Sequence, residues 1–247
     1  MGSSLVFFAG IMLFAFVREP KDYRSSFEHK PELWATLKCV LLDPDKSALR
    51  IFLAHFFWVI ALSAIEAFFT LYAKNHLGYP GAQGARILGQ FPLTLLLFAL
   101  PAGIAGGRFG RKRSILFGLG VLLSSLMAIY FLDREALTLV LVTLPVLGEV
   151  PVIGGLLMLC GCAWMMVNVN SLPMVVDMTD DLRAGTYTGI CFLFVTAAAI
   201  AGPVLNGWII HFSGYDYSSI FIASSVFVCA AFIIMTGVRR GEAKNNP

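Results

Sequence analysis

An all-α bundle that crosses a membrane about seven times is the fold class this sequence predicts, and three observations carry it. Of the 247 residues, 58% are apolar and 13% charged, with a mean hydropathy of +0.79. A soluble domain carries about 25% charged residues, so too little polar surface is left to face water. Six apolar runs reach the length that a hydrocarbon core demands, about 20 residues of helix for roughly 30 Å. Finally, fifteen of the eighteen Lys and Arg residues fall in alternate connections between those runs, the asymmetry that holds basic loops on the cytoplasmic side. Five cysteines in a chain this long are too sparse, and too odd in number, for a disulfide-stapled domain.

The first run, Ser3 to Val17, is short and reads as the second half of a span. It is no secretory signal, since Met1 to Ser4 carries no charge and Val17-Arg18-Glu19-Pro20 is no cleavage site. Val6 stands where a myristoylation motif needs Ser or Thr. The full spans are predicted at Ile51 to Ala73, Ala85 to Gly106, Ser114 to Leu132, Pro151 to Val176, Gly185 to Ile210 and Ser218 to Val238. Between the first two runs, Arg18 to Arg50 mixes seven basic with six acidic residues. There Trp34, Leu37, Val40 and Leu41 recur at helical spacing, which predicts an amphipathic helix in a cytoplasmic loop. Ala136 to Leu147 is apolar but too short to cross and is broken by Pro145. It is expected to be a re-entrant or interfacial piece outside, or an extended start of the next helix. Charge counting thus starts the chain outside and leaves its tail, Arg239 onward, in the cytoplasm.

Several polar residues interrupt the apolar spans. Glu66 lies about two thirds of the way across its span, where a carboxylate costs roughly 2.5 to 3.5 kcal/mol on insertion scales, so it is expected to face a cavity or a partner. His55, eleven residues earlier, returns to within roughly 20° of the same direction; Trp58 and Thr70 are read as flanking that face. A proton-titrating or hydroxyl-binding stripe has this form. The alternative is that Glu66 sits at the outer interface beside Lys74 and His55 at the inner one. Trp164, Asn168 and Ser171 fall at i, i+4 and i+7 and offer amide hydrogen bonds and an aromatic plate to a polyol, or else simply bond a neighbouring helix. Gln90 is a weaker candidate of the same kind. Pro92, Pro101, Pro173 and Pro203 suit helices bent around a cavity. Cys160 and Cys162 have no His, Asp or third Cys nearby, so neither metal nor cofactor is expected. No His-x-x-x-His, Glu-x-x-His or Ser/His/Asp grouping occurs in the sequence, which argues against an enzyme, and no nucleic-acid partner is expected.

The connection Gly103-Ile-Ala-Gly-Gly107-Arg108-Phe109-Gly110-Arg111-Lys112-Arg113 resembles the cytoplasmic signature G-x-x-x-D-R-x-G-R-[RK]-[RK] of the major facilitator superfamily, with Gly107 in place of the aspartate. The stretches Phe52 to Lys74 and Asn170 to Gly189 are similar to the seventh helix and the tenth-to-eleventh connection of its sugar carriers, in the sucrose-transporter-like and glycoside-pentoside-hexuronide cation symporter branches. The resemblance implies the second half of a twelve-helix fold: residues 1–17 the end of helix six, 18–50 the central cytoplasmic loop, 51–238 the C-terminal six-helix bundle and 239–247 a cytoplasmic tail. It implies a carrier in the plasma (inner) membrane that moves a small solute, most simply a sugar, by alternating access with a proton or other cation. The partners expected with it are the lipid bilayer and a missing N-terminal six-helix half or a second copy. Glu66, His55, Trp58, Trp164, Asn168, Ser171 and Gln90 are then candidates for solute or coupling-ion contacts. Gly103, Gly107, Arg108, Gly110, Arg111 and Lys112 would form a gate with Asp177, Asp180, Asp181 and Arg183; a solvated loop of mixed charge is the plainer alternative. A seven-helix receptor or scaffold without transport is the competing class, although its last span holds no lysine for a retinal-type chromophore.

Overall fold

The computed structural model describes Met12 and residues 33–144, 148–180 and 183–241; the first predicted span lies outside the described residues apart from Met12. Residues 33 onward form one compact unit. Six helices in it are long and apolar enough to cross a membrane, and their positions follow the predicted runs within a few residues. The chain is therefore an integral, multi-pass, all-α membrane bundle.

Helix α1 (Leu33–Leu42) is the expected short helix of the basic loop. Val40 is buried and Leu37 packs against the core, whereas Leu41 is exposed. The first spanning helix, α2 (Ser47–Asn75), starts where the Asp45 carboxylate accepts the backbone N–H of Ser47 at 3.0 Å and its hydroxyl at 2.6 Å. Helices α3 (Gly81–Leu88) and α4 (Gln90–Phe109) form one span, interrupted only by the turn residue Gly89. Gly110 alone joins α4 to α5 (Arg111–Phe131), with φ 94°. Only glycine holds that conformation without a Cβ penalty, so this residue makes the tightest connection in the bundle possible.

Beyond α5 the expectation fails in detail. Arg134–Thr138 forms a five-residue helix α6, and β1 (Val140–Leu144) pairs antiparallel with β2 (Gly148–Pro151), so the stretch is not an early start of the next span. Val142 pairs with Val150 and Leu144 with Gly148. The run Val140-Leu-Val-Thr, three of its four residues β-branched, favours strand, and Pro151, with no N–H to donate, sits just ahead of the following span, which begins at Val152. That span is α7 (Val152–Val176), followed by α8 (Ala184–Phe212) and α9 (Ser219–Thr236).

Packing is densest between α5 and α7, α2 and α9, and α4 and α7, while α8 rests on α2. Glycines make these approaches possible, as expected where lipid tails remove the hydrophobic drive between helices and close packing must replace it. A Cβ on Gly118 of α5 would stand 2.7 Å from the Ala163 carbonyl of α7, and one on Gly161 of α7 would stand 1.9 Å from Thr94 Oγ1 of α4. On α8, a Cβ at Gly202 would meet Ser63 Oγ of α2 at 1.9 Å. Trp58, Tyr72, Phe52 and Phe69 of α2 and Phe221 of α9 are the bulkiest fully buried side chains.

Candidate functional site

A cavity of about 670 Å³ opens between α2, α7 and α8. Five of the seven residues proposed from the sequence for solute or ion contact line it: His55 and Glu66 from α2, and Trp164, Asn168 and Ser171 from α7. Helical periodicity put each set on one face; only the packing of α8 alongside α2, running the same way from Phe52 beside Phe194 to Ser63 beside Gly202, and of α7 at the same cavity brings the sets to one space. Along α2, His55 and Glu66 are separated by about 16 Å of helix axis, so the polar stripe runs much of the cavity's length.

The chemistry of the lining is mixed. Glu66 is exposed and has no hydrogen bond or ion pair among the described residues, so its carboxylate is not tied to Lys74. His55 is nearly enclosed, with Nδ1 3.6 Å from Cys191 Sγ and its ring 4.4 Å from that of Trp58. The Asn168 side-chain amide is exposed, and the Asn168 backbone carbonyl accepts the Ser171 hydroxyl at 2.9 Å. Trp164 presents 8% of its surface. An unpaired carboxylate, an amide and an indole edge in one mainly apolar cavity make a set that can hold a small polar molecule by directed hydrogen bonds and an aromatic contact.

Two candidates stand elsewhere. Trp58 is fully buried and outside the lining, with its indole N–H lacking a partner among the described residues. Three residues of helix carry it about 60° round from His55, and it lies beneath that ring instead of beside the cavity. Gln90 is also fully buried and outside the cavity lining: Nε2 donates to the Glu149 carbonyl at 3.3 Å, and a Cβ on Gly154 would stand 2.1 Å from Oε1. It ties α4 to β2 and α7. Thr70, read as flanking the stripe, packs against Gly84 of α3. Conversely, Ser63 and Cys191 line the cavity without having been singled out. Ser63 follows His55 by eight residues on one face and was legible by spacing, whereas nothing local marks Cys191.

The glycine- and arginine-rich connection divides its work. Arg111 forms an ion pair with Asp177 at the end of α7. Lys112 donates to the carbonyls of Thr236 at 2.8 Å and Val238 at 2.6 Å, and Arg50 bonds that of Gly237. Two cations thus satisfy the last carbonyls of α9, where a helix dipole favours positive charge. Gly103 faces Val169 of α7, while Gly107 has open space around it. Arg108 and Arg183 are exposed, and their guanidinium groups have no hydrogen bond or ion pair among the described residues; Asp181 lies outside those residues. Asn170, which shares a face with Asp177, is buried against Gly106 and donates to the carbonyls of Ala102 at 3.1 Å and Met166 at 2.8 Å, fixing α4 to α7.

A six-span helical bundle, with a mainly apolar cavity carrying a few polar side chains between three of its spans, suits a membrane carrier. Residues 82–247 match the family model of the Major Facilitator Superfamily, and the chain belongs to that family. It is accordingly a secondary transporter of a small-molecule solute. No curated protein matches the chain.

Proposed function

We propose that this chain is the C-terminal half of a major facilitator carrier of the sucrose-transporter-like or glycoside-pentoside-hexuronide cation symporter kind, and that it moves a sugar with a coupling proton or other cation. One observation carries the reading: Glu66, Trp164, Asn168 and Ser171, chosen for polarity in apolar spans, share one cavity. The exposed Asn168 amide serves the sugar hydroxyls, with Ser171 holding the Asn168 carbonyl beside it, Trp164 the apolar face of its ring, and Glu66 the coupling ion, with His55 behind them. The cavity is walled by α2, α7 and α8 on one side; a separate N-terminal bundle or a second copy supplies the facing wall. The Arg111–Asp177 pair closes the basic end, which the positive-inside rule puts in the cytoplasm together with the C-terminal tail, in the plasma membrane. Opening that end during alternating access requires the pair to part.

The test is reconstitution in liposomes. The chain alone is expected to give no concentrative sugar uptake, and the chain with its N-terminal half is expected to give uptake driven by an imposed proton or sodium gradient. In that complete carrier, Glu66→Gln abolishes gradient-driven accumulation and spares sugar exchange. Accumulation unchanged by Glu66→Gln removes the coupling role, and uptake of no sugar by the complete carrier removes the substrate class.

A further inference from the structure

On the outside of the contact between α4, α5 and α7, away from the central cavity, a groove runs along α5. It consists of two hollows that meet at Phe117. One, of about 300 Å³, is lined by Phe109 of α4, Arg113 of α5 and Met166 of α7; the other, of about 560 Å³, by Gly120 and Ser124 of α5 and Leu159 of α7. No residue lines both this groove and the central cavity.

Its walls offer hydrocarbon and no free hydroxyl. Ser124 Oγ donates to the Gly120 carbonyl at 2.9 Å and Ser125 Oγ to that of Val121 at 2.8 Å, so both are spent within their own helix. Gly120 leaves the floor open, since a Cβ there would meet nothing within 4 Å. At the basic end stands Arg113, exposed and with no hydrogen bond or ion pair among the described residues, whereas the neighbouring Arg111 and Lys112 are engaged. From Arg113 to Ser124 the helix rises about 16 Å, close to the roughly 15 Å depth of one leaflet's hydrocarbon. A free cation at the headgroup level and an apolar trough one leaflet deep are complementary to one kind of molecule.

We propose that this groove is a binding site for a single anionic glycerophospholipid, with its phosphate on Arg113 and one acyl chain laid along Phe117, Gly120 and Ser124. Native mass spectrometry of the full chain, released from detergent with phosphatidylglycerol or phosphatidylcholine added, tests it. The wild type retains one phosphatidylglycerol about fivefold better than phosphatidylcholine, as one basic contact at the membrane surface warrants. Arg113→Gln erases that preference, and Gly120→Leu weakens retention of both lipids by filling the trough. Both positions face open space, so the melting temperature in lipid-free detergent is unchanged and serves as the check on folding. Phosphatidylglycerol retained by either variant as by the wild type overturns the proposal. So does an equal loss in Arg240→Gln, which removes a charge from the same end of the bundle outside the groove and would show a diffuse field instead of a site.

Discussion

Helices α2 and α8 have the same length, 29 residues, and the same mean hydropathy over their most apolar window, 2.0, yet 61% of that window is buried in α2 and 22% in α8. Apolarity therefore says that a segment leaves water and nothing about what it leaves water for. In α2 the large side chains Phe52, Trp58, Phe69 and Tyr72 are all buried among neighbours. In α8 the corresponding bulk, Phe192, Ile200, Trp208 and Phe212, is exposed. A lipid tail and a neighbouring leucine are solvents of similar quality, so the two helices separate only through packing.

The sharpest way to break this comparison is to truncate one tryptophan in each helix. Trp58→Ala is expected to cost about 3–5 kcal/mol, the range for an aromatic lost from a packed core, while Trp208→Ala, at a site 64% exposed, costs less than about 0.5 kcal/mol. Unfolding in mixed micelles, followed by circular dichroism, measures both, and equal losses would mean that burial does not distinguish the helices. Glycines sharpen the same contrast at smaller amplitude. Gly202→Leu, whose Cβ would strike Ser63 Oγ, is expected to destabilise by about 1–3 kcal/mol through overpacking. Gly189→Leu, with nothing near it on the same helix, is expected to be neutral or slightly stabilising because leucine is the better helix former. Melting temperatures of the two variants in one detergent decide it.

At the basic end the effects shrink. The Arg111–Asp177 pair is partly exposed, so Asp177→Asn is expected to lower stability by under about 1 kcal/mol. If the pair is a gate, the same change is far larger in function, raising the labelling rate of a cysteine placed near the basic mouth of the cavity. The least effect is that of Asp45. Its carboxyl is held below the usual range first by the Ser47 hydroxyl and further by the charges of Arg240 and Arg239, of which Arg240 sits 2.6 Å away. A folded-state pKa below the unfolded one adds stability that is present above the unfolded value, near 4, and lost as pH falls through the folded value. A small acid-side decline below about pH 4, missing in Asp45→Asn, is the expected signature in a pH series of unfolding curves.

These contrasts also mark how far the sequence could be read. The six spans were legible because a hydrocarbon core imposes a length on any apolar helix, and the connection between Gly106 and Ser114 was legible as short, though not that both helices run into it until Gly110 alone is left. The pairing of β1 with β2 was not legible, since a short apolar run carries no signal that separates strand from interfacial helix. The residues His55, Glu66 and Trp164 that line the cavity were conspicuous in the sequence because polarity is expensive in a membrane. Trp58 and Gln90 lie outside its lining for the same reason: a polar atom in a span can equally face a neighbouring helix, and only the packing of Gln90 against Gly154 or of Trp58 against His55 tells which. The close approaches at Gly118, Gly161 and Gly202 carry most of the architecture, and a glycine in a span looks alike whether it touches another helix or, as at Gly189, nothing at all.

With Gly110 as the sole link between two spans, α4 and α5 share no slack. Any tilt imposed on one is handed to the other across a single residue, and the grip of Lys112 on the end of α9 passes it on to a third rod. The wall of the bundle at this end therefore works as a linkage of stiff levers, which transmits displacement without needing any helix to bend.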